Sequence, residues 1–443
     1  MINNKTIMKK LFILAAVAAS FTACSFDKDL GESSSSSSLP QVERVPLKIG
    51  AITGEATVNA SRRSASTNLQ DAAAATQTAT TNNSGMGLYI LKSGTKYTQT
   101  DASNYEQLNL ASTSLTLNTP TGTTYTKYEN STTSFYYPDD KSQGVDIYLY
   151  SPYSASAPSG ADASNTIDNT LSITTATDQT YDKDYYANDF LWGAIGENVS
   201  TTNGGSSSPI NATQYKAATG GTTTAGYVTT SGEVIVPMYH MGSKIIIKVV
   251  NGTGMTMDKL KGAKVDFGVD FLTGTLKISD GTITKTGADI ANTADTDLQY
   301  ITMGKLGYSD ASTTITSTTN NDGREGVEWT DTNSDNIIQN GEVSAYYCAG
   351  VIIPQKVRHS KGDGTDPDKT ALPLIKITID NTTTVYAYSP TADITFASKK
   401  KYTFTITVNA AGIAVTTNVT DWDDQTTTLP GTTPGSGDAN LTD

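Results

Sequence analysis

Apolar residues recur at every second position through much of the chain, and this period is the strongest constraint on its fold. Near the C-terminal end, apolar side chains at 402, 404, 406 and 408 alternate with threonines, and a turn at 409–412 leads into a second alternating run. Because successive side chains of a β-strand point to opposite faces, the pattern predicts a hairpin with one apolar and one polar face. Similar runs begin at Val145, Val234 and Val265. Many short strands separated by Gly, Asn and Asp turns predict an all-β chain of antiparallel β-sandwiches.

The charge and the few histidines limit the chemistry. The chain of 443 residues has a net charge of −13, which argues against nucleic acid as a partner, since nucleic-acid binders need a basic face. It has two histidines, so a histidine-rich metal site is excluded. We interpret His240 as a buried, hydrogen-bonded residue at a sandwich corner and His359 as a solvated loop residue. We expect Cys348 and Trp422 to lie in the core.

The first residues are typical of an exported lipoprotein. A short basic start at 8–10 and an apolar run at 11–19 predict a signal peptide over residues 1–23, since the run is too short to span a membrane. The small residues before Cys24 resemble a lipobox and predict lipidation of that cysteine. The alternative is an ordinary signal peptide with an incidental cysteine. Residues 24–40 include six consecutive serines and predict a flexible tether.

Composition divides the remaining chain into two predicted domains. Residues 204–231 are rich in Gly, Ser and Thr, and dense strand patterning begins at Glu233. We therefore predict an N-terminal β-sandwich domain over 41–231 and a C-terminal one over 232–428. A polar stretch at 309–340 predicts an insertion or large loop, and the Pro- and Gly-containing residues 429–443 predict a flexible tail.

A series of short motifs resembles the fimbrillins, the type V pilus subunits of Bacteroidetes. They occur in the family order at 135–138, 145–153, 188–192, 234–244, 352–355 and 401–422. The resemblance implies two transthyretin-like β-sandwich domains in tandem, a surface lipoprotein of the outer membrane, other fimbrial subunits as partners, and adhesion to a host or bacterial receptor. Met238, Met241 and the stretch 309–340 depart from the family pattern, which leaves shaft and tip positions open.

The resemblance also implies proteolytic processing after an arginine, loss of the first strand and its replacement by a neighbour's strand. Residues 45–58 would form that strand, and Arg62 and Arg63 follow it in a polar stretch. Arg44 is a second candidate, and a merely solvated arginine pair is the alternative reading of Arg62 and Arg63. Pro46 lacks an N–H, which places it at an edge or a strand start. We expect an edge strand, because such a strand leaves without breaking an internal ladder.

An acidic stretch has the spacing of a calcium loop. Asp331, Asn333, Asp335 and Glu342 occupy positions one, three, five and twelve, and Asn336 stands where glycine is usual. The flanking sequence predicts strand instead of helix, so an acidic polar loop without metal remains the alternative. We expect no required cofactor, with Ca²⁺ as a candidate structural ion.

The sequence therefore predicts a non-enzymatic structural subunit, in shaft or tip, of a type V fimbrium that assembles by protease-gated strand exchange. The alternative is a surface glycan-binding lipoprotein of a polysaccharide-uptake system. The two differ after trypsin treatment, because a pilus subunit would lose its first strand and polymerise, whereas a glycan binder would stay monomeric.

Overall fold

The structure is a computed structural model that describes fifteen stretches of the chain. They are residues 44–53, 86–92, 95–96, 105–116, 124–129, 134–153, 170–179, 188–207, 209–213, 233–305, 325–330, 332, 341–362, 370–379 and 383–422. Within them, no helix has the length and apolar character needed to cross a membrane.

The described residues of the first half of the chain form nine strands. Their bounds are β1 (Lys48–Thr53), β2 (Met86–Lys92), β3 (Thr95–Lys96), β4 (Tyr105–Thr116), β5 (Thr124–Glu129), β6 (Asp146–Ser151), β7 (Thr170–Thr174), β8 (Leu191–Ile195) and β9 (Glu233–His240). Eight of them form one sheet in the order β3-β2-β4-β5-β1-β9-β8-β6. Because β2 also pairs with β6, all strands of this sheet except β3 close into a ring.

In the second half, the residues that the structure describes form fifteen more strands and one short helix. The strands are β10 (Ser243–Asn251), β11 (Lys264–Val269), β12 (Thr273–Lys277), β13 (Ile283–Lys285), β14 (Gln299–Lys305), β15 (Glu325–Trp329), β16 (Val343–Ile352), β17 (Gln355–Val357), β18 (Ser360–Lys361), β19 (Thr370–Ala371), β20 (Ile375–Thr378), β21 (Val385–Tyr388), β22 (Ile394–Phe396), β23 (Lys400–Asn409) and β24 (Gly412–Asp421). The helix, α1 (Met257–Leu260), begins after Thr256, whose hydroxyl accepts from the Lys259 N–H.

A five-stranded sheet, β15-β16-β10-β23-β24, packs against a four-stranded sheet, β14-β11-β20-β21, across an apolar core. The core takes every second side chain of the inner strands, among them Ile245, Ile247, Val265, Phe267, Ile375, Ile377, Phe404 and Ile406. Both the all-β class and the sandwich packing confirm the prediction from the alternating pattern. The sequence pattern did not reveal two parallel ladders, which join β1 to β9 and β10 to β23.

Strand β7 joins the two halves of the chain. It pairs antiparallel with β12, and its Leu171 and Ile173 pack in a cluster with Trp192 of β8 and Leu276 of β12. Strand β9 lies in the first sheet, although it follows residue 231, the predicted domain boundary. The exact division into domains remains a prediction.

Candidate functional site

The strand predicted to be exchangeable, β1, is one of the strands that form the ring and is paired on both sides. It runs antiparallel to β5, with Ile49 opposite Tyr128, and parallel to β9, with six residue pairs from Lys48–Glu233 to Thr53–Met238. The prediction that this is an edge strand is therefore wrong. Sequence periodicity sets which residues of a strand face the core, but it does not say which strands lie beside it.

One face of the β1 segment fills the core of the ring. Val45, Leu47 and Ile49 are 6 %, 4 % and 2 % exposed. They belong to an apolar cluster that also includes residues of other ring strands and of neighbouring loop segments, among them Phe135, Tyr137, Leu149, Val234 and Val236. The alternation expected at 45, 47 and 49 is thus present, and it holds the segment by side-chain burial as well as by its two ladders.

The residues before β1 are bonded to the chain at 135–137. The Leu47 N–H donates to the Phe135 carbonyl oxygen at 2.8 Å, and the Tyr137 N–H donates to the Val45 carbonyl oxygen at 2.9 Å. Pro46, which has no N–H to donate, lies just before the strand, opposite Tyr136. Pro46 therefore lies at a strand start, which is the second of the two positions predicted for it.

Arg44 is exposed, but the peptide bond that follows it is not free. Its guanidinium lies 5.7 Å from the centre of the Tyr136 ring. The next residue, Val45, is buried, and its carbonyl accepts the Tyr137 N–H. A protease that cuts after Arg44 has to open the segment at 45–47 first, because cleavage requires local unfolding of bonded backbone. Such a cut would also leave β1 covalently attached to the rest of the folded chain from β2 onward, which we call the body.

The ring gives β1 a specific structural role. With β1 in place, every strand of the ring has a neighbour on both sides. Without it, β5 and β9 would each present an edge of unpaired N–H and C=O groups across a gap as wide as one strand. The apolar positions of Val45, Leu47 and Ile49 would also be empty. The geometry is therefore that of a groove which accepts one extended chain with apolar residues at alternate positions.

Several predicted site residues lie outside the described residues, namely Cys24, Arg62, Arg63, Asp331, Asn333 and Asp335. The fourth residue of the predicted calcium loop, Glu342, is described and buried. Its Oε1 accepts from the Thr332 N–H at 2.9 Å and from the Thr332 hydroxyl at 2.7 Å. In the described part of the chain, no group of three or more His, Cys, Asp or Glu side chains is arranged to hold a metal ion. The calcium loop stays a prediction.

The sequence did not reveal a buried polar cluster where β9 leads into β10. His240 is fully buried, and its Nδ1 lies 2.6 Å from Asp189 Oδ1. The imidazole stacks on the Trp422 indole with ring centres 4.2 Å apart and planes at 9°. The structure thus confirms a buried, hydrogen-bonded His240 and a buried Trp422. Their contact, which ties the end of β9 to the end of β24, depends on pairing across more than 180 residues and leaves no local signal.

His359 is half-buried, so its prediction as a solvated residue is wrong. Its Nδ1 lies 2.6 Å from Asp393 Oδ1, and Lys356 Nζ lies 2.7 Å from Asp393 Oδ2. Burial acts to raise the pKa of Asp393, but the hydrogen bonds that it accepts, led by that from Lys356, hold the pKa well below its usual range. Ser360 Oγ lies 3.4 Å from His359 Nε2, yet Ser360 is 3 % exposed, so this group offers no accessible nucleophile.

A family model described as fimbrillin-like matches residues 73–422 of the chain. This span covers more than half of the 443 residues and includes most of the strands described above. It begins after β1 and ends at Trp422. The comparison with curated proteins gave no match.

Several solved structures are similar to the chain at low identity. A candidate cell adhesion protein from Bacteroides uniformis is 16 % identical, with a TM-score of 0.46, over 86 % of this chain and 99 % of that one. A fimbrial protein from Bacteroides vulgatus is 13 % identical, with a TM-score of 0.38, over 86 % and 100 %. The tip fimbrial protein Mfa3 from Porphyromonas gingivalis, with a C-terminal truncation, is 8 % identical, with a TM-score of 0.35, over 86 % and 100 %.

Proposed function

The chain belongs to the fimbrillin-like family, and from this premise we propose that it joins a fimbrium by exchanging its first strand for a strand of a neighbouring subunit. Membership makes it a structural subunit of a fimbrium at the cell surface. The proposal concerns the mechanism of assembly. The observation that carries it is the position of β1, which closes the ring between β5 and β9.

The covalent link between β1 and the body accounts for the need for a protease. Burial of side chains such as Val45, Leu47 and Ile49 contributes about 1.5–3 kcal/mol each, and the two ladders add backbone hydrogen bonds. As long as β1 is part of the same chain, its effective concentration at the groove far exceeds that of any separate strand. A cut between β1 and β2 removes this advantage and lets a neighbour's strand compete.

The order of residues along the chain supports a cut between β1 and β2. Residues 54–85 connect β1 to β2, and Arg62 and Arg63 lie within this connection. A cut there separates β1 from the body, whereas a cut after Arg44 would not. Arg62 and Arg63 are therefore the processing site that we propose, in preference to Arg44.

The same order links processing to anchoring. We propose that lipid on Cys24 holds the precursor at the outer membrane. Cys24 and β1 lie on the same side of Arg62 and Arg63. The cut would therefore end the covalent link of the body both to its lipid and to β1. The neighbour's strand that displaces β1 would then also free the subunit from its anchor.

The proposal is tested by a double variant, Arg62→Ala with Arg63→Ala, beside Arg44→Ala as the matched control. We expect the double variant to accumulate as a folded, lipidated precursor that gives no polymer ladder on an unboiled gel, while Arg44→Ala forms the ladder seen for the native chain. A normal ladder from the double variant would reject processing at this site. A ladder lost from Arg44→Ala alone would move the cut to Arg44 and contradict the release of β1.

A further inference from the structure

Strand β24 is the outermost strand of the five-stranded sheet; β21 of the facing sheet lies near it but does not pair with it. Its ladder with β23 runs without a register shift from Asn409–Gly412 to Lys400–Asp421. Among the residues that the structure describes, the backbone of β24 hydrogen-bonds to β23 alone. Within the described part of the chain, the N–H and C=O groups on one side of this ten-residue strand thus pair with no other strand.

This edge lacks the features by which proteins usually protect an open strand. From Gly412 to Thr420 it has no charged residue, no proline and no bulge. The opposite edge of the same sheet, β15, carries Glu325 and Glu328 and has a register shift beside Trp329. Charges and bulges block edge-to-edge pairing, whereas a long, flat and uncharged edge favours it.

The hairpin geometry identifies the groups that face outward. Asn409 and Gly412 close a two-residue turn and form a hydrogen-bonded pair, and such pairs alternate along an antiparallel ladder. The N–H and C=O groups of every second residue therefore point away from β23, namely those of Ile413, Val415, Thr417 and Val419. The side chains of the residues between them, Ala414, Thr416 and Asn418, are exposed.

We propose that this edge binds the same edge of a second copy of the chain, antiparallel and about a twofold axis at Thr416. In this register Thr416 faces Thr416 of the second copy, Val415 faces Thr417, and Ile413 faces Val419. The outward-facing N–H and C=O groups of one copy then lie opposite those of the other copy. Val415 of one copy and Thr417 of the other therefore exchange backbone hydrogen bonds. Apolar and threonine pairs opposite each other are the kinds that stabilise antiparallel strands.

Charge explains why a second copy fits and fixes the register. A net charge of −13 makes two copies repel each other over most surfaces, but the stretch from Gly412 to Thr420 carries no charge and allows close approach. A shift of the register by two residues toward the end of β24 would place Asp421 opposite the apolar Ile413. Because the repulsion is screened by salt, association should strengthen as ionic strength rises.

The inference is independent of strand exchange, since β24 belongs to the second sheet and β1 to the first. A single edge pair gives a weak dimer. In a fimbrium the same edge would repeat along the filament, and many weak pairs would add to firm lateral association. The unprocessed precursor is the suitable protein for the test, because it still holds β1 and does not polymerise through the groove.

The test is sedimentation of the precursor over a range of concentrations, with three variants of the edge. Thr416→Lys and Thr416→Glu each bring like charges face to face on the axis, so each alone should lose the dimer, and a 1:1 mixture should restore it. Thr417→Pro removes an outward N–H but no bond to β23, so it should fold and stay monomeric; because Thr417 is buried, its folding is checked by its own melting curve. Thr284→Lys, an exposed threonine of β13, is the control and should dimerise like the native chain.

Three results would overturn the inference. The first is a native precursor that stays monomeric at every concentration and at high salt. The second is a dimer that survives in both Thr416 variants and in Thr417→Pro. The third is a dimer that forms only after residues 423–443 are removed, because the chain's own C-terminal segment would then be the occupant of the edge.

Discussion

Replacement of Leu47 by alanine should destabilise the precursor and leave the assembled subunit unaffected. Leu47 is 4 % exposed and belongs to the apolar cluster inside the ring, so Leu47→Ala removes buried methyl groups and leaves a cavity. Truncation of a buried leucine costs about 2–5 kcal/mol of the free energy of unfolding. At about 2–4 °C per kcal/mol, the melting temperature of the precursor should fall on the order of 10 °C.

The assembled form should respond differently, because Leu47 leaves with β1 and a neighbour's strand takes its place. Fimbriae assembled from Leu47→Ala subunits should have the same melting temperature as fimbriae of the native chain. Leu149→Ala is the matched control, since Leu149 is fully buried in the same cluster but lies on β6, which stays in the body. It should lower the melting temperature of both forms.

Calorimetry on the purified precursor and on purified fimbriae compares the native chain, Leu47→Ala and Leu149→Ala in both forms. An equal drop for Leu47→Ala in both forms would show that residue 47 remains in the groove after assembly, and this would refute the exchange of β1. No drop in the precursor would contradict the contribution assigned to Leu47 in the core.

Three further predictions follow from the anchor, the acidic loop and the Asp393 cluster. Cys24→Ala should abolish fatty-acid labelling and release the protein from the membrane fraction; persistent label would exclude lipid at this residue. Millimolar Ca²⁺ should raise the melting temperature and EDTA should reverse the rise, with no effect in Asp331→Asn combined with Asp335→Asn; an unchanged native curve would leave a polar loop without metal. The pKa of Asp393 is lowered in the folded protein, so its contribution to stability is present above about pH 4 and is lost as the pH falls. Asp393→Asn should therefore be less stable than the native chain at neutral pH and lose less stability in acid. An unchanged acid profile would contradict the role of Lys356.

Local sequence patterns predicted those parts of the fold that depend on local pairing. The hairpin of β23 and β24 follows directly from alternating residues on both sides of a short turn, and the burial of residues 45, 47 and 49 follows from the same period. Glu325–Trp329 pairs with β16 although it lies in the stretch 309–340, for which the sequence predicts an insertion or large loop. The polar composition of that stretch gives no strand pattern.

Long-range pairing was beyond the reach of sequence patterns. The closure of the ring by β2 and β6, and with it the interior position of β1, depends on which strands become neighbours. The same holds for Asp189 beside His240, since the two residues lie 51 positions apart and their spacing carries no local signal. Alternation fixes the face that each residue takes, whereas the neighbours of each strand are set by the packing of the whole domain.

The most direct test of strand exchange locks β1 in the ring with a disulfide. Ala51 lies opposite Thr126, and Gly50 lies opposite Lys127, across the antiparallel ladder of β1 and β5. Opposite residues in such a ladder have Cα atoms about 4.5–5.5 Å apart, within the range of a disulfide. After cleavage by the processing protease, Ala51→Cys with Thr126→Cys should give no polymer ladder on an unboiled gel when oxidised and the full polymer ladder when reduced. A ladder from the oxidised, cleaved protein would contradict the exchange of β1.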